Sequence, residues 1–268
     1  MKMKDFFRNV VLLGALCFAP VCLAQDAPAA DGEQSAEELA KKLSNPLAAM
    51  ISFPMQLNYD QNIGPEDDGS QFKLNVQPVV PVSLNEKWNV ISRTIMPLVR
   101  QKDVFPGAGK QSGLGDFVQS IFFSPKKPTA KGLIWGVGPI ITMPSATDDL
   151  LGGRKWAAGP TVVLLKMQGP ITFGFLGSHS WSFAGSDNTA DVNLTFLQPF
   201  LSYVTPKAWT YGLNVESTYN WETEDWGIPL NLTVNKMVKL GKSQMASIGG
   251  GIRYWLDSTE SGPEDFGL

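Results

Sequence analysis

Cysteine is nearly absent from this chain of 268 residues, which has only Cys17 and Cys22. Both fall in an opening stretch that reads as an export signal. Lys2, Lys4 and Arg8 form a basic start, and Val10–Leu23 is apolar but too short for a membrane helix. Cys22 and Ala24 are small residues at the spacing of a signal-peptidase site, which puts the cut after Ala24 and makes residues 1–24 the signal peptide. Leu16 and Val21 precede the cysteines where a lipoprotein signal would have a small residue. The exported chain then has no cysteine, which excludes a disulfide scaffold and thiol chemistry and suits a bacterial envelope protein.

Histidine occurs once, at position 179, so a histidine metal cluster is excluded. A nucleophilic site would need a serine on the same face as His179. Its strand neighbours Ser180 and Ser182 face the other way, and position 181 is Trp. An outer-membrane lipid enzyme is therefore the weakest reading, and no catalytic residue is assigned. Asp67-Asp68 and Asp148-Asp149 lack the Asp-x-Asp-x-Asp-Gly spacing of a calcium loop. Gly107-Ala-Gly109 and Gly249-Gly-Gly251 are not followed by the Lys-Ser/Thr and helix of a phosphate loop. No metal or cofactor is expected. Basic clusters are also missing. Removing Lys2, Lys4, Arg8 and Asp5 takes the formal charge from −3 to −5, which leaves nucleic acid an unlikely partner. Long apolar runs are absent too: nothing after residue 24 approaches the ~18 residues of a spanning helix. Barrel strands escape that test, because each lipid-facing residue is diluted by a lumenal one.

What the chain has in quantity is alternation. Ile171, Phe173, Phe175, Gly177, His179, Trp181 and Phe183 share one face, with Thr172, Gly174, Leu176, Ser178, Ser180 and Ser182 between them. That is the period of a strand with one oily face. The pattern recurs in Ile51–Asp60, Gln71–Gln77, Trp88–Leu98, Tyr211–Trp221, Ile228–Asn235 and Ser247–Leu256. It also recurs in Val192–Phe200, where Val192, Leu194, Phe196 and Phe200 form the oily set. Less regular strands are expected over Phe117–Phe123, Leu133–Met143 and Trp156–Lys166.

Connections alternate long and short. Gln61–Ser70, Arg100–Gly115, Ser145–Lys155, Ala184–Asp191 and Asp257–Asp265 are long, and Glu66, Asp67, Asp68, Asp148, Asp149, Asp187, Glu224, Asp225, Asp257, Glu260, Glu264 and Asp265 collect in the long loops. The turns holding Lys87, Lys126, Lys127, Lys131, Lys207 and Lys242 are basic. Trp88, Trp135 and Trp209 open strands at one end, and Trp156, Trp181, Trp221, Trp226 and Trp255 sit at the other, as two interfacial girdles would. The expected fold is all-β, an antiparallel up-and-down transmembrane β-barrel of about 12 strands occupying residues 50–268, in the bacterial outer membrane. Residues 25–49 read as a periplasmic tail with a short helix. Ser35-Ala-Glu-Glu38 has the spacing of a capping box ahead of Glu37–Leu43, and composition favours a solvated tail over a plug or lid. Eight prolines inside strands, at 54, 78, 81, 97, 139, 160, 199 and 229, cut against the barrel.

Several runs resemble one family. They are Trp135-Gly-Val-Gly-Pro139, Pro144-Ser-Ala-Thr-Asp-Asp149, Lys155-Trp156 with Gly159-Pro160, Trp181-Ser-Phe-Ala-Gly185, Phe196-Leu-Gln-Pro-Phe-Leu-Ser-Tyr203 and Asn214-Val-Glu-Ser-Thr-Tyr219. They are similar to the outer-membrane β-barrel transporters related to the phenol meta-cleavage pathway. The resemblance covers roughly Asn45–Leu268. It implies an outer-membrane barrel and passage of hydrophobic or aromatic compounds.

If alternation holds, Lys73, Arg93, Glu216 and Arg253 point into the lumen with Gln56, Asn58, Asp60, Asn75, Asn214 and Asn231. Ile91, Ile95, Leu176, Leu197 and Leu201 fall on the same inner face. The charges either pair and fill the barrel or line a pore. The first reading is a channel or transporter for a small apolar solute, with outer-membrane lipid and lipopolysaccharide as partners. The alternative is a side-chain-filled structural or surface barrel. In the channel reading, Glu216→Gln should change ion selectivity. Leu213, Val215, Leu230, Leu232 and Ile252 should face lipid, with Leu232→Arg far costlier than Asn231→Arg. Finally, Phe266-Gly-Leu268 is too short to cross a bilayer. A truncated last strand is therefore expected, with Ile248–Leu256 not paired directly to Ile51–Tyr59.

Overall fold

The structure is a computed structural model. It describes residues 35–240 and 244–268, with the backbone of Val21–Cys22. The expected signal peptide, apart from that pair, and Lys242 lie outside the described residues.

The alternating segments form one antiparallel sheet in which each strand pairs with its sequence neighbours. The staves are β1 Met55–Ile63, β2 Gly69–Val76 continuing as Val79–Ser83, β3 Trp88–Lys102, and β4 Lys110–Leu114 continuing as Phe117–Pro125. Then come β5 Leu133–Met143, β6 Lys155–Gln168, β7 Ile171–Gly185 and β8 Asn193–Val204. The last are β9 Trp209–Val215 continuing as Ser217–Asn220, β10 Asp225–Leu240, β11 Gln244–Asp257 and the short β12 Phe266–Gly267. This is an all-β, antiparallel up-and-down β-barrel. Two of the acidic connections are shorter than the sequence suggests, because Gln61 pairs with Ser70 and Lys102 with Lys110.

The prolines have a structural account. Three staves are interrupted, and each interruption meets a proline. Pro78 lies in the break of β2, and its carbonyl accepts from the Thr94 N–H at 3.1 Å. Across the break of β4, the Gly115 N–H donates to Pro97 O at 2.9 Å. At the break of β9, the Glu216 N–H donates to Pro229 O at 3.1 Å, beside a register shift between Ile228 and Pro229. A residue without an N–H is thus set where the ladder already slips. Pro139 and Pro160 are cross-strand partners, so their missing donors fall at one point in the wall. Pro54 precedes β1. Nothing in the geometry explains Pro81 or Pro199.

The outer surface carries the apolar belt. Leu213, Leu232 and Ile252 lie side by side on β9, β10 and β11, and all three are exposed. Phe173, Trp181 and Phe183 of β7 are exposed as well. On β8 the expected phase is reversed. Leu201 is exposed on the outside and Leu197 lies opposite Gly177, whereas Val192, Leu194 and Phe196 line the interior. Trp255 is a second correction. It is not part of the outer girdle, since its indole N–H donates inward to Asp60 Oδ1 at 3.1 Å.

The register with β7 sets Phe196, Gln198 and Phe200 opposite the inward Ser178, Leu176 and Gly174, and the N-terminal segment packs on the face so formed. Helix α1, Ala36–Leu43, begins at the expected capping box: the Glu38 N–H donates to Ser35 Oγ at 3.2 Å and the Ser35 N–H to Glu38 Oε2 at 3.1 Å. Its amphipathic face buries Leu39 and Ala40 against Val204, Ala208 and Met237 at the basic end of the barrel. An Asn45 turn, with Asn45 Oδ1 accepting from the Leu47 N–H at 2.9 Å, then drives Leu47 into the lumen. Leu47 packs there with Ile91, Phe122, Val163, Leu165 and Leu176, and Phe196 and Phe200 lie against this cluster. The solvated-tail expectation therefore fails for residues 35–50. Apolar side chains inside a barrel have a partner when the chain supplies one, as for the oily face of β8.

β12 lies between β11 and β1, which are not paired with each other. Phe266 and Gly267 pair with Tyr254 and Arg253. On the other side, Leu268 and Tyr59 exchange both backbone hydrogen bonds, at 2.7 and 2.9 Å.

Candidate functional site

The interior holds a cavity of about 760 Å³. One wall is apolar and is built by β3, β4, β5, β7 and β8, which contribute Ile95, Val118, Ile140, Leu176, Leu194 and Phe196. The other is polar and is built by β1, β2, β9, β10 and β11, which contribute Asn58, Asn75, Asn214, Glu216, Asn231 and Arg253. A smaller cavity of about 310 Å³ lies toward the basic end, between the wall and residues 42–50. The two share Gln77, Arg93, Leu176, Gln198 and Asn214 as lining.

Arg253 is the centre of the polar wall and is buried. Its Nε donates to Asn231 Oδ1 at 2.7 Å, and its Nη1 to Asp60 Oδ2 at 3.3 Å. Its Nη2 reaches Glu216 Oε2 at 3.2 Å and Asn58 Oδ1 at 3.3 Å. Asn231 donates on to Asn214 at 2.9 Å, and Gln198 donates to the other Glu216 oxygen at 3.1 Å. Nearly every acceptor here is met, which is what a buried charge requires. The cluster also has a structural task, since it ties β11 to β1 across the seam where β12 is short. Gly267 leaves the room for it: a Cβ there would stand 2.8 Å from Asp60 Oδ1. Lys73 pairs with Asn58 in the ladder, so it shares the inner face, and it feels the charges of Asp60, Glu216 and Arg253.

Arg93 sits apart from this cluster. It faces Ser120 across the β3–β4 ladder, and its Nη2 donates to Gln77 Oε1 at 2.7 Å. Glu216 acts on it through space. Of the six residues expected in the lumen, Arg93, Asn214, Glu216, Asn231 and Arg253 line the cavity, and Lys73 shares their face through its pairing with Asn58. The structure brings Asn214, Glu216, Asn231 and Arg253 together, with Lys73 beside them, and leaves Arg93 at the junction of the cavities.

Sequence reasoning missed Leu47, the Gln77 and Gln198 amides and the acidic-end mouth. At that mouth Lys155 Nζ pairs with Asp191 Oδ1 at 3.0 Å, and Ser182 Oγ donates to the same oxygen at 3.0 Å. The Lys155 and Ser182 hydrogen bonds hold the Asp191 carboxyl below its ordinary range. A depressed carboxylate keeps its partner above the usual carboxylate pKa and releases it as the pH falls through the lowered value. One signal for Leu47 was available: Gly136 lies mid-strand, where a Cβ would stand 3.1 Å from both Leu47 methyls. Glycine inside a strand marks such an approach. His179 points outward, its ring 4.1 Å from that of Trp181 and its Nδ1 2.7 Å from Thr195 Oγ1.

No protein-family model matches the chain, and no curated protein matches it in sequence. Among solved structures it is similar to the COG4313 outer membrane channel from Pseudomonas putida F1, with a TM-score of 0.64 and 14% identity. The match covers 79% of this chain and 90% of that one. The two chains share a fold. At this identity the likeness extends to the barrel and no further.

Proposed function

We propose that the protein is an outer-membrane β-barrel channel for small hydrophobic or aromatic compounds. The observation that carries this reading is the large interior cavity with an apolar patch of Ile95, Val118, Ile140, Leu176, Leu194 and Phe196 on one side. A barrel filled by its own side chains would have no such space. The apolar belt, the export signal, the shared fold with an outer-membrane channel and the resemblance to transporters of the phenol meta-cleavage group support the same location and solute class. The acidic loops face outward toward lipopolysaccharide, and the basic turns face the periplasm. Segment 35–50 closes the periplasmic end, with Leu47 as its innermost side chain, and shifts when a solute passes.

Single-channel recording in planar bilayers tests this. Wild-type protein should conduct poorly, and Leu47→Ser, which weakens the seat of the plug, should raise conductance. Liposomes carrying the protein should take up a small neutral aromatic faster than empty ones. A barrel silent in both assays, with Leu47→Ser equally silent, would favour the structural reading, to which the Arg253 network across the seam lends its weight.

A further inference from the structure

Three cations, Lys73, Arg93 and Arg253, face two carboxylates, Asp60 and Glu216, in the polar half of the lumen. Their pairing is uneven. Arg253 takes both carboxylates at hydrogen-bond distance. Lys73 lies in the field of the same two. Arg93 has no carboxylate in contact among the described residues, and its side chain donates to the neutral Gln77 amide. That amide cannot be exchanged for a charge by a small rotation. Gln77 donates onward to Gln56 at 3.4 Å and Gln56 to Asn58 at 3.0 Å, so the row is anchored at its far end by Arg253. Arg93 lines both cavities. Across the larger cavity stands the apolar wall of Ile95, Leu176, Leu194 and Phe196.

From this arrangement we propose that the lumen recognises amphipathic monocarboxylates, the carboxylate on Arg93 and the apolar or aromatic body against the Ile95–Leu176–Phe196 wall. A planar guanidinium matches a carboxylate with paired donors, and it is less costly to desolvate than an ammonium. One free fork balances one negative charge, which favours a carboxylate over a dianionic phosphate. A cationic amphiphile would meet the Arg93 guanidinium with no carboxylate in contact beside it and be disfavoured. The inference rests on the channel reading and narrows its solute class.

The test is calorimetric titration of the detergent-solubilised full chain with 4-phenylbutyrate, 4-phenylbutanol and 4-phenylbutylamine at neutral pH. These probes share one body and differ in the head group. Wild type should bind the acid about tenfold more tightly than the alcohol, the scale of a charge-assisted hydrogen bond in a sheltered site, and the amine most weakly. Arg93→Gln should bring the acid-to-alcohol ratio close to one. Arg93→Lys should keep part of the preference, and Arg154→Gln, at the exposed outer loop, should keep all of it. Equal binding of acid and alcohol by wild type, a preference unchanged in Arg93→Gln, or tighter binding of the amine would each overturn the proposal, as would failure of all three probes to bind. Flux of the same probes into proteoliposomes reads the channel separately. Binding at Arg93 without flux would sink the channel and leave the carboxylate site, whereas flux of acid and alcohol at equal rates with equal affinities would do the reverse.

Discussion

Arg253→Ala will destabilise the barrel by about 3–5 kcal/mol, the cost of breaking a buried ion pair from one side. Deleting the guanidinium leaves Asp60, which is 4% exposed, and Glu216 with no cation in contact. It also strips the Asn231 carbonyl of its donor and leaves Asn58 only the Gln56 amide. Because the cluster joins β11 to β1 across the short β12, where the backbone bonds are the Leu268–Tyr59 exchange and the longer Glu264–Gln61 and Gly64–Ser261 contacts, the loss should concentrate at the seam. Urea titration in detergent micelles or lipid vesicles would measure it. The double variant Arg253→Met with Asp60→Asn should recover part of the loss, because it removes charge from both sides. A cost below about 1 kcal/mol for Arg253→Ala, the range of an exposed pair, would show that water already reaches the cluster.

The second large effect concerns the outer face. Leu232→Arg should cost about 2–4 kcal/mol of folding free energy in a bilayer, since Leu232 sits in the exposed row Leu213–Leu232–Ile252. The sequence pairs this test with Asn231→Arg as the mild control, and the structure overturns that choice. Asn231 is buried and holds Arg253 and Asn214, so a second guanidinium there would face the first. Thr233 is the better control. It lines the cavity and is flanked in the ladder by Gly212 and Gly251. Thr233→Arg should therefore cost well under half as much as Leu232→Arg. Equal costs would mean the two faces are misassigned.

The barrel was legible because strict alternation puts a residue's face in its position number, and the inward set Lys73, Arg93, Asn214, Glu216, Asn231 and Arg253 follows from that count alone. β8 was not legible in the same way. Its even and odd positions are both apolar, Phe196 and Phe200 against Leu197 and Leu201, so periodicity carries no phase; the pairing of Leu176 with Gln198 and Gly174 with Phe200 fixes which set turns inward, and the Leu47 plug covers it. Trp255 misled for a related reason. An aromatic at a strand end fits a girdle by position, but its parity matches Arg253, and its indole N–H is needed by Asp60. The composition of residues 25–49 concealed the plug, because a few apolar residues among charges suffice when a hollow barrel supplies the rest of the core. The uneven pairing of Arg93 and Arg253 depends on contacts across 193 and 37 positions of chain, which no local pattern encodes.

The seam has a consequence in time as well as in space. Among the described residues, apart from the pairing of Val21–Cys22 with Met245–Ala246 of β11, the other junctions in the wall join strands that follow one another in sequence, so each can zip from its turn at small loop-closure cost. The Arg253–Asp60 contact closes a separation of 193 residues, so it belongs at the end of assembly. Interactions made after the transition state act on the unfolding rate and leave the folding rate alone. The Arg253 cluster is then the fastening that keeps a finished barrel shut, and weakening it shortens the lifetime of the closed barrel without slowing its formation.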